Sequence, residues 1–332
     1  MNLQWQSNLS RHPESNFAQS ELWDEVQSRL GAKTFADVRE SGATTLMIER
    51  DARRGRYLEI PCGPVLDWEK PAQVNAAFAT IKSTAEQAGA IFVRFRPQLD
   101  DTPENQALLA AAAEKVGLKL RPAKMHLAAE HTVLLDLTKS EADLLAAMRR
   151  QTRYDVRRAA KLGITVERRT DDAIFKEFHK IQKQTAERQH FIPPNFATLE
   201  AIHATFGDHA PIYVARTAEG KAIAYGLILE TAQEADYYEA ASTSLNQKLP
   251  GAHALIWQVA RDAKVAGIPR LNLWGIAPPN QPHHRYAGVT TFKTGFGGEV
   301  KNFIPAQDLI ISPLQYLPNY LIETIRKKVR HL

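Results

Sequence analysis

The 332-residue chain has a single cysteine, Cys62. It can therefore build neither an internal disulfide nor a cysteine metal cluster, and a reducing compartment is expected. No stretch approaches the roughly 18 consecutive apolar residues of a membrane-spanning helix, and the opening MNLQWQSNLSRHPESNF lacks the apolar centre of a signal peptide. The expectation is a cytoplasmic protein. The histidines are scattered, and His283-His284 beside Pro282 reads as a loop pair rather than a ligand set. Neither a GxSxG motif nor a Cys–His pair argues for covalent catalysis. No metal and no cofactor are expected. A strong charge of one sign is also missing: 42 Lys and Arg against 37 Asp and Glu leave +5, which favours a polyanionic partner without requiring one. What remains is an ordinary globular composition, 44% hydrophobic and 24% charged, with length enough for two domains.

Helical spacing of Leu22, Trp23, Val26 and Leu30 predicts a helix from Ser20 to Leu30, stopped at Gly31. TTLMIERD and GRYLEIPCGPVLDW read as two strands around the turn at Ala52 to Gly55. A helix from Pro71 to Gly89, the strand AIFVRFRP, a helix from Glu104 to Gly117 and the alternating run HTVLLDL follow. This order predicts a mixed α/β (α+β) fold. The segment AAFATIKSTAEQAGAIFVRFRP, Ala76 to Pro97, aligns without gaps on ALIWQVARDAKVAGIPRLNLWG, Ala254 to Gly275, and each copy follows a predicted hairpin. Over 170 residues is too long a spacing for a solenoid, so the echo predicts two copies of one domain.

Between the copies, TKSEADLLAAMRRQTRYDVRRAAKLG reads as one helix from Thr138 to Gly163, with Thr138 and Glu141 as a capping box. Arg149, Arg150, Arg153, Arg157 and Lys161 occupy one side of its projection, opposite Leu145, Met148, Val156 and Ala159. Such a stripe is either a solvated face or a contact for phosphates. The helix after it ends TAERQHF, where Arg188 can serve the last carbonyls of its own helix or the oxygens of a diphosphate. Alternation along ADYYEAAST places Tyr237 and Tyr238 on opposite faces. In NQKLPGAHALIW, Gly251 opens a helix as in acyl-CoA pyrophosphate loops, but Pro250 removes an N–H donor there. Finally, RYAGVTTFKTGFGGE sets Lys293 among Gly295, Gly297 and Gly298, with Phe292 and Phe296 as anchors. Such a stretch is either a structural turn with a solvated cation or a glycine-rich loop that offers an ammonium and backbone N–H groups to a ligand.

Over nearly the whole chain this order resembles the FemABX family of aminoacyl-tRNA-dependent peptidyltransferases, which build the interpeptide bridge of bacterial peptidoglycan. The matching pieces include CGPVLDW, VRFRP, TVLLDLTKSEADLLAAMRRQTRYDVRRAAKLGITV, TAERQHF, GAHALIW, LNLWGI and YAGVTTFKTGFGGE. The resemblance implies two tandem GNAT-like domains in the compact form without a coiled-coil arm. Residues 1–137, completed by a C-terminal helix over 306–332, would form the first and residues 138–305 the second. It implies transfer of an amino acid from aminoacyl-tRNA to an amine of a muramyl-pentapeptide, UDP-linked or lipid-linked, without metal or cofactor. Lys293 would face the oxyanion or hold the tRNA end, with Asp100 or Asp101 as the general base. Lys33, Arg188, Tyr237, Tyr238 and Phe292 would bind substrate in a cleft. Arg149, Arg150, Arg153, Arg157 and Lys161 would hold tRNA.

Two other classes share these features. A GNAT-type N-acyltransferase with an acyl-CoA or acyl-carrier donor fits the fold, although Pro250 and the basic stripe speak against it. A non-catalytic binder of RNA or of the inner membrane surface would rest on YLIETIRKKVRHL, apolar on one side and basic on the other.

Overall fold

The computed structural model describes residues 2–189, 192–281 and 283–330. His190 and Phe191 of the TAERQHF exit, Pro282, and His331 and Leu332 lie outside them. The chain divides into two compact units, residues 1–130 with 302–332 and residues 131–301.

The first unit starts with two helices, α1 (Leu3–Arg11) and α2 (Glu21–Arg29), and three strands, β1 (Thr34–Val38), β2 (Thr44–Ala52) and β3 (Gly55–Pro61). Then come α3 (Pro71–Gln87), β4 (Phe92–Arg96), α4 (Pro103–Lys115) and β5 (Lys119–Pro122). The sequence reading missed α1 and β1. Helix α1 is capped by Asn2, whose side chain accepts from the N–H groups of Gln4 and Trp5. Strand β2 explains why it forms: six consecutive β2 residues are buried, so both of its faces need cover. Leu46 and Ile48 meet Trp5 of α1, while Met47, on the other face, joins the core that holds Phe78 and Ile81 of α3.

The second unit contains β6 (His131–Asp136), α5 (Glu141–Ala147), α6 (Arg150–Lys161), β7 (Thr165–Arg169), α7 (Asp172–Gln189) and α8 (Phe196–Phe206). It continues through β8 (Ile212–Arg216), β9 (Ala222–Glu230), β10 (Ala235–Ser242), α9 (Gly251–Val265), β11 (Arg270–Asn272), α10 (Ala287–Thr294) and β12 (Glu299–Asn302). The chain then returns to the first unit with β13 (Gln307–Ile310) and α11 (Pro313–Arg330). Strand β6, placed by the sequence reading at the end of the first domain, sits in the second unit's sheet because it pairs with β11.

The sheets have the orders β1-β2-β3-β4-β13-β5 and β12-β6-β11-β10-β9-β8-β7. In each, an antiparallel hairpin (β2-β3 or β9-β10) is followed by a crossover helix (α3 or α9) and a strand parallel to the hairpin's second arm. An antiparallel strand closes the far side, β13 on β4 and β6 on β11. The internal echo is thus a repeat in topology as well as in sequence. The architecture is two tandem GNAT-like α/β units. The second core packs Leu255, Ile256 and Val259 of α9 on Tyr213, Ile228 and Leu271 of the sheet. Each such large apolar side chain contributes about 1.5–3 kcal/mol on burial.

Candidate active site in the second unit

Strands β10 and β11 are paired over only two residues, Ala235 with Leu271 and Asp236 with Asn272. Beyond that point β10 carries a bulge between Tyr237 and Glu239, so Tyr238 is an extra residue and the simple alternation read from the sequence is broken. Tyr237 goes to the core: a Cβ at Gly226 would lie 2.6 Å from its ring, so glycine is required there. Tyr238 meets Trp274 edge to face, with ring centroids 6.2 Å apart. Glu239 accepts a hydrogen bond of 2.9 Å from Gln182, a side chain of α7 with 0% exposure.

Two residues past the end of the neighbouring strand β11, Trp274 has φ +61°, a conformation that a bulky residue adopts only under constraint. The constraint is visible: its N–H donates to Asn272 Oδ1 at 2.9 Å, and the Asn272 amide is fixed by Glu234. The strained turn is followed by Gly275, whose carbonyl accepts a 2.8 Å bond from Lys293 Nζ.

Lys293 itself is not in a loop. It lies in the last turn of α10 and is 9% exposed. Burial drives its ammonium down from 10.5 to about 8, against an opposing pull from Glu239. Burial also pushes the Glu239 carboxyl up to about 7, with Gln182 and Lys293 acting the other way. The two groups feel each other's charge, and both titrate near neutrality, the range useful for acid–base chemistry. Glu239 is the functional candidate that sequence reasoning missed. Its signal was a lone carboxylate in the otherwise uncharged run YYEAAST.

The glycines beyond Lys293 have a different task from the one expected. A Cβ would meet Thr152 Oγ1 at 2.3 Å from Gly295, the Ala147 carbonyl oxygen at 2.1 Å from Gly297, and the Leu134 carbonyl oxygen at 2.6 Å from Gly298. They admit their own chain rather than a ligand, and only Gly297 takes positive φ, +79°. The same contact breaks the expected long helix. Met148 and Arg149 are extended, Arg149 N–H donates to Gly295 O at 2.8 Å, and α5 and α6 are separate helices. The cap of α5 is Ser140 with Asp143, not Thr138 with Glu141; Thr138 bonds Asp136 instead.

This break sorts the basic stripe. Arg153 donates to the carbonyls of Leu145, Ala146 and Met148, closing the end of α5, and Arg149 donates to Thr294. Arg150, Arg157 and Lys161 are exposed. Two of the five residues therefore have structural duties, and three project into solvent.

A cleft of about 1160 Å³ opens beside these elements. Tyr237, Phe292, His253, Tyr286, Arg285 and Arg158 are among the residues that line it. Phe292 packs edge to face on His253 and Phe296, at 5.0 and 5.3 Å, while Lys293, one residue on, turns inward to Gly275. Burial also lowers the His253 imidazole, favouring its neutral form. Arg285 lies over the Tyr286 ring at 4.7 Å. Aromatic faces with guanidinium groups among them suit stacked bases and phosphates.

The floor of the cleft includes the start of α9. A Cβ at Gly251 would lie 2.4 Å from Ile223, and the Ala252 N–H is taken by Asn246 Oδ1 at 3.0 Å. Gly251 is there for packing, and one of the donors a pyrophosphate would use is already bonded. Helix α7 reads β10 at every third residue: Gln182 holds Glu239, Thr185 bonds Ser242, and Arg188 donates to Ser242 O at 2.6 Å. Arg188 is exposed, and its recorded partner is Ser242 rather than the end of its own helix.

The other expected residues lie in the first unit. Asp100 and Asp101 are exposed. Asp100 is bridged to Phe303, and Asp101 accepts from Gln106 at 2.6 Å. Lys33 is exposed, with its ammonium 4.9 Å from the centroid of the Phe35 ring. Asp100 and Asp101 thus belong to a different unit from Lys293, whose nearby carboxylate is Glu239.

The sequence pattern of the FemAB family matches residues 3–218 and 217–324. A lipid II:glycine glycyltransferase of Staphylococcus aureus is 26% identical over 204 residues, 59% of this chain and 48% of that protein. The chain thus spans about half the length of the curated relatives it matches. Among solved structures, FemX superposes with a TM-score of 0.85 at 17% identity, covering 97% of this chain and 98% of that one. The C-terminal domain of a putative lysylphosphatidylglycerol synthetase from Agrobacterium fabrum superposes at 0.62, also at 17% identity, covering 98% and 95%. These two likenesses concern the fold; the match along both units is what decides membership, and the chain belongs to the FemAB family.

Proposed function

We propose that the protein is an aminoacyltransferase that moves an amino acid from aminoacyl-tRNA to the amine of a muramyl-pentapeptide, a peptidoglycan precursor. The observation that carries this reading is the Lys293–Glu239 couple at the break between β10 and β11, in a chain of the FemAB family. The relative named a lipid II:glycine glycyltransferase favours a lipid-linked form of the acceptor.

The donor is an ester, so the reaction needs a neutral amine and a stabilised oxyanion. The acceptor nitrogen attacks the ester carbon. Glu239, ionised above about pH 7, takes the proton that the amine sheds. Lys293 spends one N–H on Gly275 and has two others for the oxyanion that forms as the carbonyl bond opens. As the intermediate collapses, the C–O bond to the ribose breaks, the amide remains, and an ammonium titrating near 8 can protonate the departing 3′ oxygen. Stacking on Phe292 and Tyr286 and the cations Arg285 and Arg158 suit the terminal nucleotides of the donor, with Arg150, Arg157 and Lys161 on more distant phosphates. Arg188, Tyr237 and Tyr238 serve the acceptor in this reading. Glu239 takes the role of base in place of Asp100 and Asp101, because burial has raised its carboxyl and it feels the charge of Lys293.

The test is direct: a mixture of charged tRNAs is incubated with protein and muramyl-pentapeptide, UDP-linked and lipid-linked in parallel, and the products are weighed by mass spectrometry. The reading expects acceptor heavier by one aminoacyl residue. Unchanged acceptor with every charged tRNA contradicts it.

A further inference from the structure

Helix α11 keeps an apolar face in solvent. Tyr316 and Asn319 are buried, whereas Leu314, Leu317, Leu321 and Ile325 are 90%, 52%, 53% and 60% exposed. Their spacing of three, four and four residues puts all four on one arc of about 80° at about 100° per residue. An isolated exposed leucine needs no explanation, but four in a row along three turns do.

Cations border one edge of the stripe. Arg121 and Lys124 sit over the Tyr320 ring, 4.7 and 4.8 Å from its centroid. The acid of this helix, Glu323, is on the side away from the stripe and is held by Arg94 at 2.8 Å.

We propose that this face of α11 seats on an anionic phospholipid surface, with Leu314, Leu317, Leu321 and Ile325 at the acyl boundary and Arg121 and Lys124 at headgroup phosphates. An apolar arc with cations along its edge and the helix's carboxylate turned away is the pattern of a helix lying in a bilayer interface. No helix among the described residues is long and apolar enough to cross a membrane, so the contact is peripheral. The inference deepens the proposed reaction and draws its biological sense from it, since a lipid-linked acceptor is presented at a membrane surface. Its test needs no precursor.

The whole protein is floated with vesicles of mixed phosphatidylglycerol and phosphatidylcholine, and with vesicles of phosphatidylcholine alone. Binding to the anionic vesicles is expected, weakening by about fivefold for each cation removed in Arg121→Gln/Lys124→Gln, a variant that leaves α11 untouched. Leu314→Ser/Leu317→Ser/Leu321→Ser/Ile325→Ser should weaken it by more than about tenfold and melt as the parent does, since its four changes are at exposed positions. Absence of binding, equal binding to both vesicle types, or serine and glutamine variants that bind like the parent would overturn the proposal. So would a serine variant that merely turns a dimer into a monomer in sedimentation, which would assign the face to a second copy. Transfer to a UDP-linked acceptor should survive the serine changes. Vesicle binding without any transfer would sink the proposed reaction and leave this inference standing.

Discussion

Replacing Lys293 with methionine should leave the fold at least as stable at neutral pH, which is unusual for a change in the interior. The side chain is 9% exposed, and burial lowers its ammonium from 10.5 to about 8. Below pH 8 the residue is charged in both folded and unfolded chains, and holding that charge in the interior costs about 3 kcal/mol. Methionine keeps most of the stem and removes this cost. Against it stands the lost bond to the Gly275 carbonyl, worth about 1.5–3 kcal/mol for a charged donor. The two nearly cancel at pH 7. They separate with pH: between about 8 and 10.5 the unfolded chain still binds the proton that the folded one has released, so the parent gains stability as pH rises. The variant lacks that gain. Urea unfolding at several pH values from 7 to 10 should show the variant's relative stability falling by about 2.5 kcal/mol across the window. Parallel curves, with a constant offset, would mean that Lys293 is not desolvated in the native state and would refute the reasoning.

Four further outcomes follow from the site. The pH dependence of transfer should be bell-shaped, with apparent limits near 7 and near 8 belonging to the Glu239–Lys293 couple, and Glu239→Gln should abolish the acidic limb; a profile with no limb near 7 contradicts the assignment. Arg150→Gln/Arg157→Gln/Lys161→Gln should lower the salt dependence of tRNA binding by roughly 0.7–0.9 in log–log slope per lost phosphate contact, whereas Arg153→Gln should act on melting temperature, because its guanidinium closes α5. Arg188→Lys keeps the charge and loses the planar fork, so it should raise the acceptor KM and spare the donor; a lower melting temperature alone would leave Arg188 as a tie to Ser242. Gly297→Ala should destabilise by about 1–3 kcal/mol for the left-handed backbone alone, and by more for its collision with the Ala147 carbonyl, as read from thermal unfolding.

The repeat was legible because helix-and-strand units follow apolar periodicity, and two copies of α3-β4 and α9-β11 carry the same pattern with the same glycine stops. Helix α1 was not, since its one large anchor, Trp5, gains meaning only once β2 is known to need cover on both faces. The stripe from Arg149 to Lys161 looked like one helix because local propensity runs through Met148 and Arg149 without a breaker. The interruption comes from Gly295 and Gly297, about 145 residues away in sequence, pressing on that turn. The same long-range contact explains the glycines that were read as a ligand loop. The loop expected around Lys293 is instead a helix end facing a strained turn at Trp274, because the glycines beyond it serve packing rather than flexible backbone. Glu239 stayed hidden because neither burial nor the bulge that orients it is written in the local pattern.

Transfer by the buried couple depends most directly on the charge of Lys293. The measurement is steady-state transfer by Lys293→Met with saturating aminoacyl-tRNA and varied muramyl-pentapeptide. Loss of one positioned electrostatic contact predicts kcat lower by about a hundred- to a thousandfold, with the acceptor KM within a few-fold of the parent. A kcat close to the parent's, whether KM moves or not, would contradict it.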